Sequence, residues 1–313
     1  MIKEKNTKAG KLLDIDFYPC FDGGKKIPSG PKATKGSTEA QKKYNDIKAQ
    51  KNVIYLINEN FDEHDLIGHL TYAPENAPQS EDEARRDMVN ALRRIKRMRE
   101  RELIKVVAAL NKLPDAEEFT GFRKKLELKR EKLSAPFKYM YVIEKVTYQR
   151  GPFKGNDNWH FHIFMTGGLE RSEVEAIWKK GIRSNVDQFQ PDRFGPEAMA
   201  KYMAKDPQGT KRFVCSRNMS RTYKQPKVKN ARFSAGYLAK LSQERCDDKQ
   251  YWEKKYPGYN FVRAFPRFNE YNGHWYLTVV MYAAGDGSVP KWDMDNWVND
   301  DWDNNSAKED YVC

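Results

Sequence analysis

Two runs of β-forming residues, separated by a short connection, constrain the fold of this chain most strongly. The first lies between Phe137 and Tyr148 and contains YMYVIEKVTY, and the second, Trp159 to Thr166, is WHFHIFMT. The connection between them, QRGPFKGNDN, is rich in the Gly, Asn, Asp and Pro residues that favour turns. The two runs therefore predict an antiparallel pair of strands.

The second run carries two histidines at a spacing of two residues. Successive side chains of a strand point to opposite faces, so His160 and His162 share one face, while Phe161 lies on the other. A strand that presents two imidazoles in this way can bind one metal ion. The alternative is a pair of histidines packed in the sheet without a ligand.

Glu144 supplies a third candidate ligand from the neighbouring run. It is an isolated acid among the apolar residues of YVIEKV, where an unpaired carboxylate would be costly to bury. We predict that His160, His162 and Glu144 bind a divalent ion, Mg²⁺ or Mn²⁺ for phosphate chemistry. The same residues also suit Zn²⁺ or Fe²⁺, and the sequence leaves the choice of ion open.

The remaining pattern predicts an α+β fold, a central, mainly antiparallel five-stranded sheet flanked by helices. VIYLI, residues 53–57, and Leu66 to Tyr72 predict strands, and the stretch that follows Ser80 predicts a capped amphipathic helix. A helical insertion at about 102–136 is expected to break at Pro114. We further expect short helices at 172–179 and 195–205 and an edge strand at 183–188.

Composition suggests how the rest of the chain is organised. Residues 1–51 are lysine-rich with many glycines and prolines, and predict a mostly flexible basic arm. The main domain is expected at 52–206. A basic segment and a β-rich extension follow at 207–285, with a hairpin that turns at Asn272 and Gly273. Residues 286–313 are acidic and tryptophan-rich, and predict a tail that mimics DNA, recruits a partner or is simply solvated.

The charge of the chain points to a polyanionic partner. There are 56 Lys and Arg against 44 Asp and Glu, a net charge of +12. An anionic membrane fits less well, because the longest apolar run, 277–284, cannot span a bilayer and residues 1–11 lack an apolar signal core. The four scattered cysteines form no CxxC pair, which predicts reduced thiols and no cysteine zinc site.

The positive charge is most concentrated between Gln208 and Gln243, a stretch without any Asp or Glu. Such a stretch is typical of a nucleic-acid interface, although an ordinary solvated face is the simpler alternative. The predicted DNA-binding residues in this segment are Lys211, Arg212, Arg217, Arg221, Lys224, Lys227, Lys229 and Arg232.

A second chemical candidate lies downstream of the histidines, in KYMAK. On a helix Tyr202 and Lys205 face the same way, so a cation would lie beside a phenol. With a nearby metal-polarised phosphate, such a tyrosine can act as a nucleophile. Taken alone the pattern is weak, because the chain has 17 tyrosines.

Together these motifs resemble the HUH endonucleases, in particular the single-tyrosine initiators of rolling-circle replication in plasmids and small phages. Leu70-Thr71-Tyr72 is similar to the first motif of the family, WHFHIF to its histidine motif and KYMAK to its tyrosine motif. The order, histidines before tyrosine, is similar to that of initiators rather than relaxases. The resemblance covers roughly residues 52–206.

The resemblance implies an RRM-like nuclease fold and a role for each matching residue. His160, His162 and Glu144 would bind the metal, Tyr202 would attack a phosphodiester, Lys205 would assist, and Tyr72 would contact DNA. The implied reaction nicks single-stranded or hairpin origin DNA and leaves a 5′-phosphotyrosine and a free 3′-OH. A host helicase and DNA polymerase in the bacterial cytoplasm are the implied partners.

Two departures from the family leave the reaction cycle open. Initiators with paired tyrosines carry another tyrosine where this chain has Ala198, so termination would need a second subunit or a water molecule activated by Glu197. No GxxxxGK[ST] motif of a fused helicase occurs. A relaxase or transposase with the same chemistry, and a non-catalytic DNA-binding replicon control factor with a structural metal site, remain alternatives, and the oligomeric state stays open.

Overall fold

A computed structural model describes residues 1–20, 39–147, 154–181, 184–189, 213–270 and 272–284. These residues form two five-stranded antiparallel sheets and six α-helices, which confirms the predicted α+β class. In chain order the strands are β1 (Ile2–Ala9), β2 (Leu12–Pro19), β3 (Leu66–Thr71), β4 (Tyr139–Thr147), β5 (Asp157–Met165), β6 (Ser184–Gln188), β7 (Val214–Cys215), β8 (Lys227–Asn230), β9 (Tyr259–Asn269) and β10 (His274–Ala283). The helices are α1 (Glu39–Asn60), α2 (Glu81–Lys112), α3 (Thr120–Ser134), α4 (Arg171–Ile177), α5 (Ala235–Glu244) and α6 (Lys249–Lys255).

The first sheet, called the site sheet below, has the strand order β6-β3-β5-β4-β7. The predicted strand pair is its centre, since β4 and β5 run antiparallel from Tyr139 opposite Met165 to Thr147 opposite Asp157. The predicted strand at 66–72 is confirmed as β3, and the predicted edge strand as β6. One face of this sheet packs against α2, α3 and α4 around Phe161 and Ile163, which are fully buried.

Both predicted helical segments are present, but the capped helix after Ser80 and the first part of the insertion expected at 102–136 form one continuous helix, α2. The Ser80 hydroxyl accepts a hydrogen bond from the backbone N–H of Glu83, so it caps α2. The helix ends at Lys112, shortly before Pro114, and α3 returns beside it. Lys129 of α3 donates to Glu102 of α2 at 2.8 Å.

The second sheet has the order β8-β1-β2-β10-β9, and it shows that the prediction of a flexible arm over residues 1–51 is wrong for residues 1–20. The prediction is also wrong for residues 39–51, which belong to α1. β2 lies in the middle of this sheet and pairs with β1 and β10. Its alternate residues Leu13, Ile15 and Phe17 are buried with residues of α5, α6 and β10. A lysine-rich composition concealed this two-residue period. The partners of β2 in α5, α6 and β10 lie more than 220 residues away along the chain, so no local pattern indicates them.

The prediction of a strand at VIYLI is also wrong, because these residues belong to α1. Val53, Leu56 and Ile57 are buried in a core shared with Phe164 of the site sheet and Leu12 of the second sheet. A helix that is covered by a sheet on two sides needs apolar residues around most of its circumference. Its short apolar run therefore cannot be told from a buried strand by periodicity.

A buried polar cluster fixes α1 to the second sheet. Asp14 of β2 is 4 % exposed, accepts a hydrogen bond from the Tyr55 hydroxyl at 2.5 Å and lies 3.2 Å from the Lys51 ammonium. The same ammonium lies 3.2 Å from Asp16. A buried carboxylate is tolerated only with such partners, so the cluster defines how α1 sits on the strands.

The C-terminal extension completes the second sheet. The predicted hairpin is confirmed, since β9 and β10 pair across a turn in which Gly273 has φ of +64°. Such a φ is readily adopted by glycine, which has no Cβ. β10 pairs with β2, so residues 1–20 and 259–283 form one sheet rather than separate units. Among the described residues, no helix is long and apolar enough to cross a membrane.

Arg99 of α2 connects the helical insertion to the site sheet. Its side chain is almost fully buried, and the guanidinium donates to the carbonyls of Lys132 and Ala135 at the end of α3 and of Thr166 and Gly167 after β5. Arginine carries five N–H donors in a planar fork, so one side chain can satisfy several buried carbonyls.

We expect Arg99→Met to lower the free energy of unfolding by at least about 3 kcal/mol, because each buried carbonyl left without a partner costs about 1–3 kcal/mol. Urea denaturation measures the change. The matched control is Arg94→Met, which alters an exposed position of the same helix and should stay within about 0.5 kcal/mol of the wild type. An equal loss in both variants would show that Arg99 has no special role.

Candidate metal centre

The register of three central strands brings four polar side chains to one face of the site sheet. In β5, His160 pairs with Thr71 of β3 and with Glu144 of β4. In the next row on the same face, His162 pairs with His69 of β3. Side chains that are directly opposite in adjacent strands lie on the same face, so these residues converge from three strands.

The distances place the three imidazoles around one point, with the carboxylate of Glu144 against two of them. Nε2 of His160 lies 2.9 Å from Oε2 of Glu144, within hydrogen-bonding distance, and Nε2 of His162 lies 3.4 Å from the same oxygen. One ring nitrogen of each of His69, His160 and His162 lies within 4.8 Å of the others. A single ion placed among these atoms would meet several ligands at once.

The orientation of the rings is set by their mutual packing. His69 stacks on His162 with ring centroids 4.5 Å apart and an interplanar angle of 12°. His160 lies edge-on to His69, at 4.7 Å. These contacts hold the three imidazoles in place before any ligand arrives, so little ordering entropy remains to be lost on binding.

The surrounding sequence explains why the polar residues cluster at one end of the face. One row further along β5 and β4, Phe164 and Met140 are fully buried in the core shared with α1. The opposite face of β5 carries Phe161 and Ile163 in the other core. A slip of one residue in β5 would turn the imidazoles into that core, so the register is strongly specified.

The electrostatics of the site favour a cation. Burial would raise the pKa of Glu144, but the imidazoles of His160 and His162 outweigh burial and hold this pKa well below its usual range. Burial, together with the neighbouring imidazoles, lowers the pKa of His69 to about 4. Burial also lowers the pKa of His162. At neutral pH the carboxylate is ionised and His69 and His162 are neutral, the protonation states that metal ligands require.

His69 gives an independent indication of a missing partner. Its Nε2 atom is buried, and within the described part of the chain it has no hydrogen-bond partner. Buried polar atoms are almost always paired, and an unpaired one costs about 1–3 kcal/mol. A cation bound to this nitrogen would remove the penalty.

The donor set narrows the choice of ion. Imidazole nitrogen suits Zn²⁺, Fe²⁺ and other first-row transition metals, while Mg²⁺ prefers oxygen ligands. Glu144 can serve as a fourth ligand, or it can accept an imidazole proton and orient the ring, as carboxylates do around many metal-binding histidines. Three imidazoles and one carboxylate therefore fit a transition ion, Mn²⁺ included, better than Mg²⁺.

The structure brings together the three predicted ligands, His160, His162 and Glu144, and adds His69, which the sequence reasoning missed. A signal was available, since His69 is an isolated polar residue in the apolar strand LIGHLT, as Glu144 is in YVIEKV. The sequence does not indicate that β3 lies beside β5, which is what brings His69 opposite His162. Tyr202, Lys205, Glu197, Lys211 and Arg212 lie outside the described residues, as do the predicted helix at 195–205 and the tail at 286–313.

Tyr72 lies in the core, so the prediction that its side chain contacts DNA is wrong. It is 2 % exposed, and its ring packs against Trp178 with centroids 5.0 Å apart. Its hydroxyl donates to Asp87 at 3.1 Å on the side of the sheet that faces α2. Tyr72 directly follows β3, whose alternate residues Leu66 and Leu70 are buried, and its ring packs in the same core.

The other predicted DNA-binding residues in the described part of the chain are all exposed. They border both sheets, because the segment that carries them leads from β7, at the edge of the site sheet, to β8, at the edge of the second sheet. Lys229 differs from the others in that its charge is paired within the protein, since its ammonium lies 3.0 Å from Glu4. Their role in DNA binding remains a prediction for Arg217, Arg221, Lys224, Lys227, Lys229 and Arg232.

Comparisons with protein families, with curated proteins and with solved structures find no match to this chain.

We expect Mn²⁺ or Zn²⁺ to raise the midpoint of thermal unfolding. At an ion concentration of 100 times Kd, binding stabilises the folded state by about 2.7 kcal/mol, which corresponds to about 4 °C for a chain of 313 residues. His69→Ala should weaken binding by more than about 100-fold, beyond the usual cost of losing an outer-shell partner. Calorimetric titration measures this change.

The matched control is His64→Ala, which removes an exposed histidine from the turn before β3. It should bind the ion like the wild type. Equal affinities for wild type, His69→Ala and His162→Ala would contradict a metal centre at these residues.

Proposed function

We propose that this protein is a metal-dependent DNA nickase and strand transferase of the HUH endonuclease type that initiates rolling-circle replication. The observation that carries the proposal is the convergence of His69, His160, His162 and Glu144 on one face of an antiparallel sheet. The histidine pair lies on β5, the middle strand of five. Its neighbours on both sides contribute the other two groups.

The chemistry of this set fits phosphodiester transfer. A divalent cation, when bound, polarises the oxygens of a phosphate and neutralises the charge that develops on them. The half-buried carboxylate of Glu144 and the buried imidazole of His162 hold their positions through packing and hydrogen bonds. Such preorganised ligands lose little energy in rearrangement during the reaction.

The nucleophile in the proposal is the hydroxyl of Tyr202, assisted by Lys205, as the resemblance of KYMAK to the tyrosine motif implies. The tyrosine oxygen forms a bond to phosphorus, and the bond from phosphorus to the 3′ oxygen of the preceding nucleotide breaks. The phenol gives up its proton and the leaving oxygen takes one up. The products are a 5′-phosphotyrosine and a free 3′-OH, and the covalent bond retains the energy for strand rejoining.

The partners in this proposal follow from charge and from the resemblance to initiators. A net charge of +12 suits single-stranded or hairpin origin DNA. A host helicase would separate the strands, and the 3′-OH would prime a host DNA polymerase. The site of action would then be the cytoplasm of a bacterial host. A relaxase or transposase would use the same chemistry on other DNA.

One feature of the site favours a second candidate, a non-catalytic DNA-binding factor. Three imidazoles and a carboxylate can fill all four positions of a tetrahedral ion, and a site without an open position is typical of structural rather than catalytic zinc. Such a closed centre would stabilise the fold without binding a phosphate. The two candidates differ in whether the protein can become covalently attached to DNA.

The deciding experiment incubates the protein and Mn²⁺ with a pool of single-stranded oligonucleotides and detects covalent adducts on a denaturing gel. We expect an adduct with the wild type. Tyr202→Phe should lower adduct formation by more than about 10³-fold, because the oxygen that attacks phosphorus is lost. His162→Ala should lower it similarly, because a metal ligand is lost. DNA affinity should change little in Tyr202→Phe.

Tyr237→Phe is the matched control, since it removes a hydroxyl from an exposed tyrosine of α5. It should form the adduct like the wild type. Tight DNA binding without an adduct at any sequence would contradict the nickase and support the binding factor. An adduct that survives Tyr202→Phe would show that another residue is the nucleophile.

A further inference from the structure

A row of arginines runs along the outward face of α2. Arg93, Arg97 and Arg101 follow one another at a spacing of four residues, and all three are exposed. Residues four apart lie on the same side of a helix, with Cβ atoms about 6 Å apart. Arg94, also exposed, lies beside them. These four residues are called the basic row below.

The basic row does not contribute to the packing of α2. The residues of this helix that bury themselves against the site sheet, Met88, Leu92 and Ile95 among them, lie on its opposite side. Like charges at a spacing of four residues destabilise a helix by about 0.2–0.5 kcal/mol for each pair. The row therefore lowers the stability of the isolated protein. An anionic partner bound to the arginines would turn this repulsion into a net attraction.

The charges of the row are not neutralised within the described part of the chain. Arg94, Arg97 and Arg101 have no acidic group within 4.0 Å there, whereas Arg85 pairs with Glu81 in the first turn of the same helix. Lys105, one turn beyond the row, pairs with Glu102. Among the described residues, α2 thus forms ion pairs on either side of the basic row but not along it.

We propose that the basic row binds the phosphate backbone of duplex DNA. Arginine binds phosphate through two parallel hydrogen bonds, which gives it an advantage over lysine at such contacts. From Arg93 to Arg101 the helix rises about 12 Å. Each strand of a duplex presents a phosphate about every 3.4 Å along the axis, so the row spans three to four phosphates.

Two features favour a duplex over other polyanions. α2 contains no aromatic residue, whereas proteins that bind single strands combine cations with aromatic rings on which bases stack. A membrane-binding helix would need a continuous apolar face toward the lipid, whereas most apolar residues of α2 are buried against the sheet and only Ile104 and Val107, beyond the row, are exposed. A straight row of cations on a rigid helix suits a rigid, regularly charged partner.

The position of the row gives it a distinct task. α2 covers the face of the site sheet that carries Phe161 and Ile163, and the imidazoles of His160 and His162 lie on the other face. A duplex bound to the row would therefore be held across the sheet from the metal centre. The inference rests on the proposed function only in that it takes DNA as the partner. Binding of a duplex to the row requires neither a bound metal ion nor cleavage of DNA.

The test measures the affinity of the full-length protein for a short duplex of random sequence by fluorescence anisotropy, in EDTA and over a range of salt concentrations. In the triple variant Arg93→Gln, Arg97→Gln, Arg101→Gln we expect at least a tenfold loss at low salt. The slope of log Kd against log salt should fall by about 2–3, since each lost phosphate contact contributes about 0.9. Glutamine keeps the helix propensity of arginine, and thermal unfolding verifies the fold.

The matched control removes the same charge from exposed positions of α3, by Lys124→Gln, Lys125→Gln and Arg130→Gln. It should bind the duplex nearly like the wild type. An equal loss in both triple variants would overturn the proposal in favour of a net charge effect, and unchanged binding in the first variant would overturn it directly. Loss of binding to anionic phospholipid vesicles, with duplex affinity unchanged, would overturn it in favour of a membrane.

Adduct formation with single-stranded oligonucleotides separates this inference from the proposed function. The Arg93, Arg97 and Arg101 variant should form the adduct at the wild-type level. A protein that forms no adduct at all but loses duplex affinity in this variant would leave the basic row established and the nickase refuted.

Discussion

The pairing of β5 with both of its neighbours is the constraint on which the site depends. In this register Glu144 lies opposite His160 and His69 lies opposite His162, so ligands that are far apart in sequence share one face. The register is held by the apolar residues on the other face, Phe161 and Ile163, which fit one core and no solvent-facing position. The polar centre is therefore a consequence of how the hydrophobic face is buried.

Buried polar groups at three places connect secondary-structure elements that are far apart in sequence. Arg99 satisfies carbonyls from two neighbouring segments, and Asp14 with Lys51 and Tyr55 joins α1 to the second sheet. In both cases each charged group has at least one protein partner that offsets its loss of water. At the histidine centre Nε2 of His69 has no hydrogen-bond partner within the described residues. What distinguishes this centre as a candidate ligand site is the convergence of three imidazole nitrogens within 4.8 Å of one another.

Local patterns in the sequence predicted those elements whose partners are close along the chain. The strand pair around His160, the capped start of α2 at Ser80 and the turn at Gly273 all depend on residues within a few positions. β2 was missed because Leu13 and Ile15 are buried by residues near the C-terminus, and a polar composition outweighed their alternation. VIYLI was assigned to a strand because burial on two sides removes the helical period. His69 was missed because strand order, which no local pattern records, decides which side chains share a face.

The central claim is that three strands assemble one metal centre, and the number of imidazoles on the ion tests it most directly. Pulsed electron paramagnetic resonance of the Mn²⁺-loaded protein counts directly coordinated histidine nitrogens. The structure predicts three in the wild type and two in His69→Ala. A wild type with no coordinated imidazole, or a count that His69→Ala leaves unchanged, would contradict this account.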